Sequence, residues 1–353
     1  FLVTFVGVFA FGYVKQIFFP PNEREVFLAD VWAPYGSDVR TTAAEAERLE
    51  KWLLAQEEVA KVTTFVGNGG PRWSLSQSIE QSNAAYAFML IELAGGKEGI
   101  PLVGEVFKRG QQFADTEMPH SRITFRLLEQ GPPVGAPIQI RILGEDIPTL
   151  YALRDQIGQI LAETPGTLNI YDSWGEWRKM LTIDVNQEQV KRAGLTSEDV
   201  ALSLQLHMSG LQASDYREGD EVIPIVIRST DEFREDLGKV ESLNVFSTSS
   251  SHNAPLAQVA FTKVEYMPPN IQRKNGKRTM TLRSYLHPGF FASDTLKAIE
   301  PRIAELFSDP LYDNYEFEFG GEAEGSATAQ ASIAAEFPFA MGLLFLTLCY
   351  MFN

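Results

Sequence analysis

Cysteine is almost absent: Cys349 stands alone among 353 residues. A single thiol excludes any intrachain disulfide and any thiolate metal cage, and it leaves the redox compartment open. Histidine is scarce as well. His120, His207, His252 and His287 lie apart with no second ligand at helical or strand spacing, so a zinc centre has no support. The methionines are scattered and form no relay for a soft metal. Positive charge is in deficit too, with 30 Lys and Arg against 46 acids and a net charge of −16. A phosphate-tracking surface needs clustered cations, which excludes nucleic acid as a partner. No Gly-x-Ser-x-Gly elbow and no activated cysteine is present. The acidic pairs Glu57-Glu58 and Asp220-Glu221 fall in turns and read as solvated charge. An enzyme has little to stand on, and no cofactor is implied.

What is there is an ordinary globular composition, 44% apolar and 22% charged, in a chain long enough for two or three domains. The two ends differ from the rest. Phe1 to Val14 and Phe337 to Phe352 carry no charge. A spanning helix needs about 20 apolar residues, so each run is slightly short, and each meets a chain terminus. They read as two membrane helices cut off mid-span, over 1–19 and 334–353, the alternative being a pair of buried core helices. A secretory signal fits the start poorly, because no basic segment precedes the apolar run. Lys15, Phe18-Phe19 and Pro20-Pro21 suit a membrane exit. The residues between the two runs then form one block on one face of the membrane.

That block repeats a strand–helix–strand unit. The first has strands at Val26–Ala33 and Val59–Val66, with a helix from about Thr42, where Thr42-x-x-Glu45 has the form of a capping box. The second runs Tyr86–Leu93, a helix at Pro101–Ala114, and Arg122–Leu128. The glycine-rich Gly67–Trp73 before it drifts into polar Ser and Gln rather than opening a helix, which speaks against a phosphate cradle. The stiff Gly131–Pro137 marks a subdomain border. A third unit follows: Ile138–Leu143, a helix with Leu150, Leu153, Ile157 and Ile160 on one face, and Leu168–Asp172. The fourth comes late, with Arg278–Tyr285, a helix from Ser293, and Tyr315–Phe319. Asn186 to Asn270 has another texture: a helix capped by Thr196-x-x-Asp199, a hairpin turning within Tyr216–Val222, and strands at Leu243–Phe246, Pro255–Val259 and Thr262–Tyr266. The fold class is therefore α+β, with paired βαβ units forming ferredoxin-like subdomains and a separate module inserted in the second pair.

Aromatic residues carry the strongest hint of a site. Tyr171, Trp174 and Trp177 cluster at one corner, with Ile138 and Ile140 expected on the strand beside them. Large flat side chains with few charges suit an adaptable apolar pocket, and equally suit a cap on the sheet–helix core.

Several stretches resemble one family. Phe18-Phe19-Pro20, Pro165-Gly166 with Trp174-Gly175 and Ile183–Asn186, Gly194–Val200, Pro255–Ala260, Ile271–Gly276 and Gly320–Glu324 match the resistance-nodulation-division multidrug efflux transporters, acriflavin-resistance type, in order along nearly the whole chain. The resemblance implies an N-terminal periplasmic loop with a first porter subdomain at 22–134, a second at 135–185 and 271–330, and a docking subdomain at 186–270. It implies a homotrimer in the bacterial inner membrane, with most of this chain in the periplasm. Lipophilic drugs, dyes or detergents are exported in antiport with protons, through a periplasmic adaptor and an outer-membrane channel. By position the drug pocket is lined by Ile138, Ile140, Trp174, Trp177, Gln272, Met280 and Phe317, and it meets hydrophobic or amphiphilic small molecules and membrane lipid. The docking hairpin is shorter than the long arm of the well-known drug pumps. The heavy-metal branch is a weaker fit, because its methionine triplet has no counterpart here. Two other readings stay open: a membrane-anchored periplasmic binding or assembly module without transport, and a lipid exporter of the same superfamily.

Overall fold

The computed structural model describes residues 24–74, 77, 79–95, 103–128, 131, 135–234, 236–287 and 289–352. The first apolar run lies outside the described residues. The chain divides into two compact units, residues 1–176 with 268–353, and Trp177–Met267.

In the first unit, β1 (Val26–Trp32), α1 (Val39–Leu54), β2 (Val59–Val66), β3 (Tyr86–Leu93), α2 (Val103–Glu117) and β4 (Arg122–Leu127) make an antiparallel sheet of order β2-β3-β1-β4. Phe27, Ala29 and Val31 alternate along β1 and join one core cluster with Leu49 and Leu53 of α1 and Val106 of α2. Burying each large aliphatic side chain contributes about 1.5–3 kcal/mol. Helix α2 lies close to the sheet through Gly110, where a Cβ would come within 2.7 Å of the Phe125 ring. Helix α1 does not start at the expected capping box. Asp38, a turn earlier, accepts from Arg40 N at 2.8 Å, while the Thr42 hydroxyl donates to the Ala84 carbonyl at 2.7 Å. A buried threonine inside the first turn serves a long-range bond in place of a cap.

A second sheet begins with β5 (Ile138–Gly144), α3 (Ile147–Glu163) and β6 (Thr167–Asp172). The chain then forms the second compact unit. There β7 (Arg178–Val185) leads to α4 (Gln187–Arg192), α5 (Ser197–Met208), the hairpin β8 (Leu211–Glu218) and β9 (Glu221–Ile227), β10 (Asn244–Phe246), β11 (Asn253–Pro255), α6 (Leu256–Val259) and β12 (Ala260–Met267). Strand β7 pairs with β12 along its whole length, which brings it into this unit. The expected strand at 255–259 is instead a helical turn. Pro255 at its N-cap has a φ of −59°, and Leu256 and Val259, three apart, are both buried. The capping box at the start of α5 forms as expected, with Thr196 and Asp199 satisfying each other's backbone N–H.

Back in the first unit, β13 (Arg273–Lys274), β14 (Lys277–Leu286), α7 (Ala292–Phe307) and β15 (Glu316–Gly321) complete the second sheet. Asn275 (φ 53°) and Gly276 (φ 84°) turn the β13–β14 hairpin in the left-handed region, as an Asn-Gly pair favours. The sheet order is β13-β14-β5-β15, with β6 also on β14. Leaving the short β13 aside, this repeats the order of the first sheet: return strand, late strand, first strand, last strand. Helices α3 and α7 cover one face, packing Leu153, Ile157, Ile299 and Ile303 against Ile138, Ile140 and Leu282. The described chain ends in α8 (Glu322–Phe352), 31 residues with none buried.

Candidate binding cleft

Among the described residues α1 and α2 pack on one face of the first sheet and α3 and α7 on one face of the second, and residues of the opposite faces line a cleft of about 1340 Å³. Alternation decides who lines it. On β1, Asp30 and Trp32 line the cleft while Ala29 and Val31 lie in the helix-covered core. On β4 the cleft side is Arg122, Thr124 and Arg126, in cross-strand register with Trp32, Asp30 and Leu28. In the second sheet it is Gln139 of β5, Tyr171 of β6, and Arg283 and Tyr285 of β14.

The floor is electrostatic. Asp30 accepts from the Tyr86 hydroxyl at 2.6 Å and from Arg126 Nε at 2.6 Å. Burial, with Asp30 beside it, pushes the Tyr86 phenol far above its usual value, so it stays a donor. Burial also works against charge on Arg126, but the Asp30 carboxylate more than offsets this and raises its pKa. Among the described residues Arg122 has no such carboxylate partner. Its guanidinium carbon lies 3.6 Å from the Tyr171 ring centroid and 5.3 Å from that of Trp32. Burial lowers its pKa, with the neighbouring tyrosines and Asp30 acting in the opposite direction. Arg283 lies 5.9 Å from the same Tyr171 ring, and its Nε is buried without a hydrogen-bond partner. Tyr171 and Tyr285 stack at 6.4 Å, and Tyr285 too is raised by burial. Asn169 ties the two sheets together: its side-chain amide donates to Ile123 O at 2.8 Å and Thr124 Oγ1 at 3.2 Å. A separate ion cluster sits along one side, where Arg154 meets Asp172 at 3.1 Å and Glu176 at 2.8 Å.

The corner after β6 is rigid. Asp172 Oδ1 accepts from Trp174 N at 2.8 Å and Gly175 N at 2.6 Å, Trp174 Nε1 donates to Thr279 O at 2.8 Å, and the Tyr151 hydroxyl donates to Gly175 O at 2.7 Å. Gly175 has a φ of 78°, and a Cβ there would come within 2.6 Å of Tyr35.

The residues expected to line a pocket fall into four places. Ile138, Ile140, Trp174 and Met280 are fully buried beneath the helices, in one core cluster. Phe317 is partly buried against that same cluster, 4.8 Å from the Phe307 ring. Trp177 is 41% exposed and belongs to the second compact unit. Only Gln272 lines the cleft. The strand beside β6 is β14 rather than β5, so Tyr171 neighbours Arg283, not an isoleucine. What sequence reasoning missed is the set Asp30, Arg122, Arg126 and Arg283. Part of the signal was available, since Asp30 is the single charge in an otherwise apolar strand and Arg122 and Arg126 stand at alternating positions of β4, where burial must be compensated. Arg283 shares β14 with Lys277 and Arg278 and does not stand out.

A family model described as AcrB/AcrD/AcrF matches residues 1–353. The chain belongs to that family of resistance-nodulation-division efflux transporters. Among its relatives, the nickel and cobalt resistance protein CnrA of Cupriavidus metallidurans is 25% identical over 359 residues, covering 97% of this chain and 32% of that protein. The toluene efflux pump membrane transporter TtgB of Pseudomonas putida is 22% identical over 364 residues, covering 99% and 32%. The fold matches a crystal structure of a heavy metal efflux pump at a TM-score of 0.75 and 21% identity, over 98% of this chain and 36% of that one. The chain thus spans about a third of the length of these relatives. Family membership joins the metal and solvent branches here, whereas the sequence reading ranked the metal branch lower.

Proposed function

We propose that this chain is the periplasmic porter and docking part of a proton-driven efflux transporter that binds and exports lipophilic drugs, dyes or detergents by alternating access. The observation that carries the reading is the cleft between two uncovered sheet faces of one strand order. Its volume of about 1340 Å³ exceeds the roughly 300–1000 Å³ typical of small-molecule sites, which suits bulky and varied cargo. Two packed sheets joined by few side-chain bonds can shift as bodies and change that volume.

In this reading the sheets are ferredoxin-like porter subdomains at 22–134 and at 135–185 with 271–330, and the docking subdomain spans 186–270. The β8–β9 hairpin supports a homotrimer, because Tyr216, Val222, Ile223, Ile225, Val226 and Ile227 are all exposed on it. A seven-residue strand reaches about 23 Å at ~3.3 Å per residue, enough to touch a neighbour and short for a deep interlock. Helix α8 is long and apolar enough to cross a membrane, which supports the inner membrane with this block in the periplasm. A periplasmic adaptor and an outer-membrane channel complete the assembly. Gln272 remains a substrate contact, and Ile138, Ile140, Trp174, Met280 and Phe317 support the binding sheet from its covered side.

Metal export is the second reading, favoured by the names of the metal-resistance relatives. Against it, no group of three or more His, Cys, Asp or Glu able to hold a metal occurs among the described residues. Two assays on cells with and without the intact gene separate the readings: retention of a lipophilic dye, with and without an uncoupler, and growth in nickel. Higher dye retention in the deletion strain, abolished as a difference by the uncoupler, supports the organic cargo. A growth defect in nickel with unchanged dye retention overturns it.

A further inference from the structure

The inner part of the cleft holds more positive charge than its partners neutralise. Three guanidiniums converge there, Arg122, Arg126 and Arg283, and the carboxylate beside them, Asp30, is held by Arg126 and Tyr86. Among the described residues neither Arg122 nor Arg283 forms an ion pair. Glu80 and His120 are exposed among the lining residues, and Asp155, Asp172 and Glu176 are grouped about Arg154. The chain as a whole carries a net charge of −16, so spare cations inside a concavity are not a general property of its surface.

The aromatic walls define the rest. Arg122 is pinned between Tyr171 and Trp32, which orients its planar fork and leaves donors for a second, coplanar acceptor. Tyr171 and Tyr285 stack on one side and Trp32 and Tyr86 pack at 4.6 Å on the other, so aromatic side chains from both sheets border the cleft. The buried Nε of Arg283 has no acceptor among the described residues.

We infer that this cleft selects anionic amphiphiles: molecules with a flat or aromatic body carrying one carboxylate or sulfonate, whose anionic head meets Arg122 and Arg283 while the body lies in the open part of the cleft beside them. The inference rests on the cleft being the cargo site and adds the charge of its cargo. A carboxylate supplies the two acceptor oxygens that a guanidinium fork matches, whereas a cationic or neutral isostere leaves both guanidiniums desolvated and unpaired.

The test uses the full chain held in amphipol and three fluorescent probes with one common body: dansylglycine (anionic), its neutral amide, and dansylcadaverine (cationic). Titrations at low salt are expected to give dansylglycine at least a ten-fold tighter Kd than either other probe, with the advantage shrinking at high salt. Arg122→Gln with Arg283→Gln should abolish the preference of the anion over the amide, and Arg122→Lys should retain part of it. Equal affinity for the anion and the amide in the unaltered chain overturns the inference, and that result needs no variant to fold. A preference that persists in the double variant also overturns it. Either failure leaves the dye-retention result, and so the efflux reading, standing or falling by itself.

Discussion

The covered and the open faces of the same two sheets are built from adjacent residues and do opposite work. On β5, Ile138, Ile140 and Ile142 pack under α3 and α7 and are wholly buried. Their neighbours Gln139 and Arg141 point the other way; Gln139 lines the cleft and Arg141 Nη2 donates to Glu324 of α8 at 2.6 Å. On β1 the pattern repeats with Ala29 and Val31 against Asp30 and Trp32. A helix-covered face has no water to satisfy polar atoms, so it accepts aliphatic side chains and the occasional indole whose N–H has a fixed acceptor. The open face keeps solvent access and can hold charge. The cleft-lining strand residues are therefore mostly polar, charged or amphipathic, while the most hydrophobic strand positions lie in the covered cores.

Trp174→Ala breaks the covered face hardest. Losing a fully buried indole should cost about 4 kcal/mol, read by chemical denaturation, with dye affinity in the surviving folded fraction unchanged. A stable variant with weakened dye binding would return Trp174 to the pocket. On the open face, Asp30→Ala leaves Arg126 without its counter-charge and should cost about 3 kcal/mol. Adding Arg126→Met should recover part of that loss, because the stranded charge is gone; no recovery in the double variant means the pair is not the source of the effect.

Asp199 of the second compact unit sharpens the contrast, as a buried carboxylate held without a cation. The Thr248 backbone N–H and hydroxyl, with Thr196, hold its pKa down to about 2. The folded value lies below the ordinary carboxylate value of 3.8, so its contribution is present above that pH and is lost as pH falls toward 2. Wild type should melt above Asp199→Asn at pH 7, and the gap should close between pH 4 and pH 2. A gap that stays constant over that range would mean the carboxylate is not what holds this corner. The smallest effect is expected on the exposed hairpin. Ile225→Ser should change monomer stability by less than about 0.5 kcal/mol while reducing the population of the proposed trimer, read by native mass measurement.

Strands and helices were legible because each carries its own periodicity. Val59–Val66 and Tyr86–Leu93 form over the expected residues, and the Thr196–Asp199 capping box forms as its spacing requires. The exceptions are local competitions: Asp38 captures the start of α1 from Thr42, and Pro255 turns an apolar run into a helical turn. The cleft was far less legible. Ile138, Trp174 and Met280 were placed in a pocket by position from the family resemblance, and an apolar residue at such a position suits a covered face as readily as a pocket. Asp30, Arg122, Arg126 and Arg283 were passed over because a charge in a strand marks a position needing compensation without saying which face the helices leave open.

The sequence by itself determined the elements, the turns at Gly175 and Asn275-Gly276, and the family, since all of these depend on residues close in the chain or on motifs in order. The tertiary structure alone decided that β14 inserts between β5 and β6, that β7 leaves to pair with β12, and which face of each sheet the helices cover. Those choices depend on partners distant along the chain, as with the bond from Trp174 Nε1 to Thr279 O, where the sequence separation is 105 residues. Alternation says that a strand has two faces; only long-range packing says which one stays open to a ligand.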